Sequence, residues 1–378
     1  MIITSLITEY NPFHNGHIHH IEASREVSGA DVMIAIMSGN FTQRGEIAVT
    51  DKYTRAAEAI KHVDLVVELP LYNAVSFADD FAKGAIHTAA LLNSTHVVFG
   101  SESGDIDDLK KVYGNLKRSD IKEKMTAFMK DGYSYPRAVN AAIGGDVFKG
   151  SNNTLGLSYI RAIDELSSTI TPMTIQRVGN EYSEETLSSS RFSSATSLRK
   201  ALENNRKDEA AHYMPESLVN AISSEGAVSN ADIFNSLKVI ITRAGISELK
   251  NIYMMTEGLE HRIKSKIRKH NNYESFINDL KTKRYTRTRL NRLMISILLN
   301  ITKGEMARYR MPEAVHVLAM NKTGRSYLKT LPEDLEIITN VNSKNRNLIH
   351  REVAATDIYN VFSQSDRNDF NTPVIIRD

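Results

Sequence analysis

Ile7-Thr8-Glu9-Tyr10-Asn11-Pro12-Phe13-His14-Asn15-Gly16-His17 is the stretch on which the fold turns. Ahead of it, Ile2–Ile7 is a short apolar run rich in β-branched residues, the pattern of a buried parallel strand. Behind it, Gly16–Val27 has helical spacing. A strand, a proline-containing turn and a helix open a βαβ unit. The alternation continues outward. Strands are predicted at Val32–Met37, Asp64–Glu68, His96–Phe99 and, more weakly, Met173–Val178. Helices are predicted at Lys52–Lys61, Phe77–Leu92 and Ile106–Leu116. Such alternation implies right-handed crossovers and a doubly wound, Rossmann-like α/β parallel sheet. From about Ser197 helical windows dominate: Pro215–Ser223, Asn230–Ile246, Leu259–His270, Tyr273–Lys283 and Tyr285–Leu299. The tail from Pro312 to Asp378 mixes short apolar runs with polar turns and receives no assignment. The expected organisation is an α/β domain over 1–200 and a mainly α-helical domain over 201–378.

Composition narrows the chemistry. The 378 residues are 41% hydrophobic and 24% charged, the balance of a globular protein rather than a disordered one. There is no cysteine, which excludes disulfides, thiolate metal sites and a cysteine nucleophile. The N-terminal MIITSLITEYNP lacks the basic segment of a signal peptide, and no window has the ~18–20 apolar residues of a membrane span. A cytoplasmic location is expected. The net charge of +2 hides an asymmetry: residues 1–200 carry 20 Lys/Arg against 24 Asp/Glu, the remainder 27 against 21. The second half is therefore the better partner for a polyanion.

His14-x-Gly16-His17 lies where a strand ends and a helix begins. A helix N-terminus leaves backbone N–H groups unpaired and carries partial positive charge, so a phosphate chain is favoured there. Gly16 lets backbone approach closely, and two imidazoles beside it can donate to phosphate oxygens as charge shifts in reaction. Far downstream, Ser193-Ser194-Ala195-Thr196-Ser197-Leu198-Arg199 offers hydroxyl caps and a guanidinium able to pair with phosphate. His14, His17 and Arg199 are the candidate catalytic residues, with Ser193, Ser194 and Thr196 as nucleotide contacts. Neither a P-loop nor a G-x-G-x-x-G fingerprint is present. His17 and His20 share a helical spacing, but no carboxylate follows at ligand distance in sequence, so no metal site is assigned.

The pairing of H-x-G-H with S-S-x-T-x-x-R resembles the nucleotidyl-transferring α/β enzymes, which include coenzyme adenylyltransferases and class I aminoacyl-tRNA synthetases. Further motifs narrow the likeness: Met37-Ser38-Gly39-Asn40-Phe41-Thr42-Gln43-Arg44-Gly45-Glu46, Asp51-Lys52-Tyr53, Asp64-Leu65-Val66-Val67-Glu68-Leu69-Pro70, Phe99-Gly100-Ser101-Glu102, Asn152-Asn153 and Lys283-Arg284-Tyr285-Thr286-Arg287-Thr288-Arg289-Leu290. From Ile2 to about Leu290 this ordered set resembles the bacterial tRNA(Met) cytidine acetate ligase family. Tyr53 and Phe192 depart from the residues usual there, and both are hydrophobic exchanges. The resemblance implies that acetate attacks the α-phosphorus of ATP to give acetyl-adenylate. The wobble cytidine of elongator tRNA(Met) then takes the acetyl group on its exocyclic amine. It also implies an ATP loop of Ile7, Thr8, Glu9, Tyr10, Asn11, Pro12, Phe13, His14, Asn15, Gly16, His17, Ile18, His19 and His20, with Gly100, Arg177 and Asn152, or its neighbour Asn153, as further contacts. Magnesium is expected to arrive with ATP.

Arg262–Arg292 holds 11 Lys/Arg and only Glu274 and Asp279 as acids. Lys283, Arg284, Arg287, Arg289 and Arg292 are the candidate tRNA contacts, and Tyr273, Phe276 and Tyr285 are candidate stacking platforms. Arg44 and Lys52 have two readings, as parts of a turn and a helix start or as groups that orient acetate or tRNA. Two other functions share parts of this pattern: a coenzyme-type adenylyltransferase acting on a small phosphorylated substrate, and a non-catalytic RNA-binding protein on a nucleotide-binding fold.

Overall fold

The computed structural model describes residues 1–133, 135–144, 151–177, 187 and 192–378. The first four strands fall where the apolar runs place them: β1 (Ile3–Thr8), β2 (Val32–Ser38), β3 (Leu65–Leu69) and β4 (His96–Ser101), followed by β5 (Thr171–Gln176). Val178, the predicted end of the fifth strand, lies outside the described residues. These five strands are parallel, in the order β5-β4-β1-β2-β3. The chain runs outward from β1 to β3, then returns to lay β4 on the other side of β1. That reversal is a topological switch point, and ligands of such sheets bind in the crevice at the carboxyl ends of the strands there.

Side chains alternate between two cores. Ile34, Ile36, Leu65, Val67 and Val97 face one set of helices. Met33, Ala35, Met37, Val66 and Val98 face the other. Helix α1 (Asn15–Ser28) follows β1, and α2 (Lys52–Ala59) follows β2 behind its N-cap Asp51. Among the described residues no helix is long and apolar enough to cross a membrane.

The region after residue 200 is mostly helical, and its tail adds strands to the sheet. Strand β6 (Ala314–Asn321) joins the sheet antiparallel to β3, and β7 (Glu336–Ile338) and β8 (Ile375–Arg377) pair with β6. The exposed edge of β3 is thereby covered, as an unpaired edge demands. Residues from both sides of position 200 thus share one sheet. A third core joins the helices of 228–301 to Phe41 and Ile47 of the first half. Those two residues bridge one another in antiparallel fashion, so the loop between them projects its tip, Thr42–Glu46, along the seam between sheet and helices.

Candidate active site

His14 is the N-cap of α1, with extended backbone. Its Nδ1 accepts from the Gly16 N–H at 3.0 Å, and His17 Nδ1 accepts from the His14 N–H at 3.3 Å. This reciprocal cap satisfies donors the helix would otherwise leave open. It also fixes the tautomer: with Nδ1 accepting, the single proton of each neutral ring sits on Nε2. The two rings stack with centroids 3.7 Å apart. A Cβ on Gly16 would lie 2.9 Å from His14 Cε1, so glycine is what lets the capping ring fold over the helix start.

Burial pushes the His14 pKa down to about 3, with Arg177 and Arg199 adding to the shift. Burial, then the neighbouring His14, His20 and Arg177, holds His17 well below its ordinary value, and burial and Arg177 bring His20 to about 4. The cleft therefore holds neutral imidazoles, and those of His14 and His17 donate through Nε2. Depressed histidine pKa values carry a sign. The unfolded chain protonates near pH ~6.5 whereas the folded chain does not, so their contribution to stability is present above ~6.5 and is lost as pH falls toward the folded values. We expect the unfolding midpoint to fall between pH 7 and 5, and the fall to be shallower in a His14→Asn/His20→Asn variant. Equal slopes in the two proteins would contradict this.

The cleft itself opens at the switch point. Ile7, Thr8, Glu9, Tyr10, Asn11, His14, Gly16, His17, His19 and His20 line it from β1 and α1. Gly100, Asn152, Arg177, Ser193, Ser194 and Arg199 line it from the far side. Sequence reading and structure thus bring these residues together. Pro12, Phe13, Asn15, Ile18 and Thr196 do not line the cleft. Phe13 is fully buried, its ring 4.9 Å from that of Tyr10 and 5.8 Å from that of His17. The Asn15 N–H donates to Tyr213 O at 2.8 Å, Ile18 packs on the core, and Thr196 Oγ1 accepts from Arg199. They hold the walls.

Arg199 extends from the Ala195–Glu203 helix, capped by Ser194. Its Nη1 donates to Asn11 O at 2.7 Å, and its Nη2 lies 3.0 Å from Glu46 Oε2. The guanidinium is thus aimed at the β1–α1 turn. Glu102 separates the two asparagines. It takes the N–H of both, while Asn153 Oδ1 accepts from the Glu102 N–H and is buried. Asn152 Oδ1 instead accepts from Arg177 Nη1 at 3.1 Å, so Asn152 is the one at the cleft. A Cβ on Gly100 would come within 3.1 Å of the Arg177 side chain.

Sequence reading missed the apolar wall, Phe81, Phe99, Leu155, Tyr159 and Ile175, and the polar Gln176. Core positions and cleft-lining positions share the same spacing, so no signal separated them. Gln43 and Arg44 also line the cleft.

Lys52 does not. It is fully buried, with Nζ 2.8 Å from Glu68 Oε2 and 2.7 Å from Asp369 Oδ1. The orienting role for Lys52 is therefore corrected: its ammonium is the counter-ion of a buried cluster. Glu68, His316 and Asp369 are the one group among the described residues able to gather three metal-ligating atoms, and His316 Nδ1 is 2.7 Å from Glu68 Oε2. The lysine already supplies the cation there, and none of the group lines the cleft. No protein ligand for magnesium is assigned.

The basic region requires two corrections. Tyr273, Phe276 and Tyr285 are buried at 1%, 0% and 8% exposure, so they pack the helical core instead of offering faces to bases. Arg292 is buried too, its Nη1 donating to Gln43 O at 3.1 Å and its guanidinium lying over Phe77. It lies on the Arg287–Leu298 helix, where every residue from Leu290 to Leu298 is buried. It braces the seam. Lys283 and Arg284 are exposed, Arg287 pairs with Glu274, and Arg289 lies 5.2 Å over the Tyr285 ring.

A parallel sheet whose switch point carries a histidine-capped helix start, an arginine and an open cleft defines a nucleotide-transferring enzyme class. In agreement, residues 1–372 match the family HIGH Nucleotidyl Transferase. Over 375 residues the chain is 41% identical to the tRNA(Met) cytidine acetate ligase of Staphylococcus saprophyticus, covering 98% of both chains. It is 39% identical over 379 residues to the enzyme of that name from Staphylococcus carnosus, covering 99% of this chain and 98% of that one. Thermotoga maritima TmcAL, in its apo form, superposes with a TM-score of 0.91 at 31% identity, covering 100% of this chain and 99% of that one. The same protein bound with alpha-thio ATP superposes with a TM-score of 0.89 at 31% identity and the same coverage. The chain belongs to the tRNA(Met) cytidine acetate ligase family.

Proposed function

We propose that this protein joins acetate to the exocyclic amine of the wobble cytidine of elongator tRNA(Met), using ATP and forming N4-acetylcytidine, AMP and pyrophosphate. The carrying observation is the histidine-capped start of α1 at the switch point, with Arg199 aimed at the same turn. In this reading the ATP phosphates lie over that helix start. The Nε2–H groups of His14 and His17 and the guanidinium of Arg199 stabilise the charge that develops as acetate attacks the α-phosphorus. Acetate held beside ATP reacts as an intramolecular partner, which can lower the barrier by ~7–11 kcal/mol. No enzyme nucleophile is needed, because the mixed anhydride is itself the acyl donor. Magnesium would arrive on the phosphates of ATP and offset part of their charge. A tRNA substrate places the reaction in the cytoplasm.

The test is direct. Protein, ATP, labelled acetate and bulk tRNA are incubated, and the tRNA is digested to nucleosides. Label in N4-acetylcytidine is expected. Pyrophosphate release that requires a phosphorylated small molecule would select the coenzyme adenylyltransferase instead, and absence of ATP turnover the non-catalytic RNA binder.

In this reading the tRNA docks on the basic surface made by the exposed Lys283 and Arg284 and the half-exposed Arg287 and Arg289. A triple Arg284→Ala/Arg287→Ala/Arg289→Ala variant should bind tRNA more weakly, and each lost phosphate contact should remove roughly 0.7–0.9 from the slope of log K against log salt. Unchanged affinity and slope would move the RNA surface elsewhere.

A further inference from the structure

We propose that Glu9 is the general base that takes the amine proton of cytidine during acetyl transfer. This rests on the ligase reading above and adds to it a residue for its second step. The step balances as follows. The cytidine N4 attacks the acetyl carbon of acetyl-adenylate, and a C–N bond forms. The C–O bond to the phosphate breaks, and AMP leaves with its electron pair. The proton lost from N4 passes to a Glu9 carboxylate oxygen and from there to solvent.

Three observations point to this carboxylate. First, it is held in place. Arg55, fully buried, donates from Nη1 to the Glu9 carbonyl at 2.7 Å and to the Ser38 carbonyl at 3.0 Å. The Gln43 N–H donates to Glu9 Oε1 at 2.8 Å, leaving Oε2 without a hydrogen bond among the described residues. Second, it stands at the right seam. Glu9 lines the cleft together with His14 and His17, while Gln43, whose N–H it accepts, gives its own carbonyl to Arg292 Nη1 at 3.1 Å. One residue, Gln43, therefore links the nucleotide loop to the Arg287–Leu298 helix, whose first turn carries Arg287 and Arg289 and which follows the exposed Lys283 and Arg284. A nucleotide on α1 and an RNA on that helix would meet at Glu9. Third, three neighbouring candidates, His14, His17 and Glu46, are committed. The Nδ1 atoms of His14 and His17 accept backbone N–H groups, so their Nε2 atoms carry protons and donate. Glu46 is paired with Arg199.

Burial raises the Glu9 pKa above the usual carboxylate range. Arg44 opposes this, Glu46 adds to it, and the Gln43 N–H and Arg199 oppose it. Arg55 of α2, Tyr159 of the Ser151–Glu165 helix and Arg292 are the remaining charged or titratable groups whose fields reach it. A base with a pKa nearer neutrality is a better proton acceptor here than an ordinary carboxylate.

The experiment separates the two half-reactions in the full-length protein. Acetyl-adenylate is formed first and then chased with tRNA in a single turnover, for wild type and Glu9→Gln. The glutamine keeps an acceptor for the Gln43 N–H. We expect transfer to fall by roughly 10²–10⁴-fold, the usual worth of a positioned base. Acetate-dependent ATP–pyrophosphate exchange should fall far less. The wild-type transfer rate should rise with pH along one ionisation above the ordinary carboxylate range, and that limb should vanish in Glu9→Gln. A parallel loss in both half-reactions, an unchanged transfer rate or a surviving limb would overturn the proposal. Should Glu9→Gln fail to fold, Glu9→Asp decides: a slower transfer that keeps the limb supports the assignment, and loss of the limb refutes it. Wild-type protein that makes no acetylcytidine in this assay would instead sink the ligase reading.

Discussion

Replacing His17 with alanine is expected to cut acetate-dependent ATP–pyrophosphate exchange by roughly 10²–10³-fold, the cost of removing one preorganised donor from a developing oxyanion. The change has a second, smaller effect. His17 Nδ1 accepts the His14 N–H, so alanine also opens the reciprocal cap of α1. Losing a cap typically costs ~0.5–2 kcal/mol, which this domain should tolerate. His17→Gln separates the effects, because a glutamine at this position can reach back to the cap N–H as in an ordinary capping box. The glutamine variant should recover the melting temperature of wild type but not its exchange rate. Normal exchange in a folded His17→Ala protein would remove the imidazole from the chemistry.

The second large effect concerns stability. Lys52→Ala should destabilise the protein by ~3–5 kcal/mol, the usual result of deleting one partner of a buried ion pair. The reason is what stays behind. Glu68 and Asp369, buried at 6% and 3% exposure, would face each other beside His316 with no ammonium between them. In the intact cluster burial alone would raise the Asp369 pKa, but Lys52 and His316 outweigh it and hold the group at about 2. Burial alone would likewise lower the pKa of Lys52, and the two carboxylates hold it above its ordinary value instead. Denaturant titration measures the loss. A midpoint shift equivalent to under ~1 kcal/mol, with adenylation abolished, would instead make Lys52 a catalytic group.

The cluster also shows where sequence reading stops. Asp369 and His316 come from the tail, 317 and 264 residues beyond Lys52 in the chain. A periodicity argument sees Ala314–Asn321 as an apolar run, but it cannot see that β3 leaves an edge for that run to fill. The parallel strands were legible because each is a short β-branched run next to a helical window. The nucleotide cleft was legible for a related reason. One turn after β1 carries most of its polar groups in consecutive residues, and its position at a strand-to-helix junction gives those letters a physical meaning. Its apolar wall was not legible, since Phe81, Phe99 and Tyr159 sit at ordinary core spacing. Arg292 misled for the opposite reason. Among eleven nearby cations its charge looked like surface, yet it faces inward from a helix buried along most of its length. Gly45 marks that contact: at φ +72° it brings its backbone so close to Arg292 N that a Cβ would stand 2.1 Å away. Side-chain charge is local information, whereas burial depends on what the rest of the chain brings.

In the proposed reaction two neutral, cap-bound imidazoles receive the triphosphate at the start of α1. A crystal structure of the protein with a non-hydrolysable ATP analogue checks this. Phosphate oxygens are expected within hydrogen-bond distance of His14 Nε2 and His17 Nε2, with Arg199 closing from the opposite wall. An analogue bound elsewhere, with this cleft holding only solvent, would contradict it.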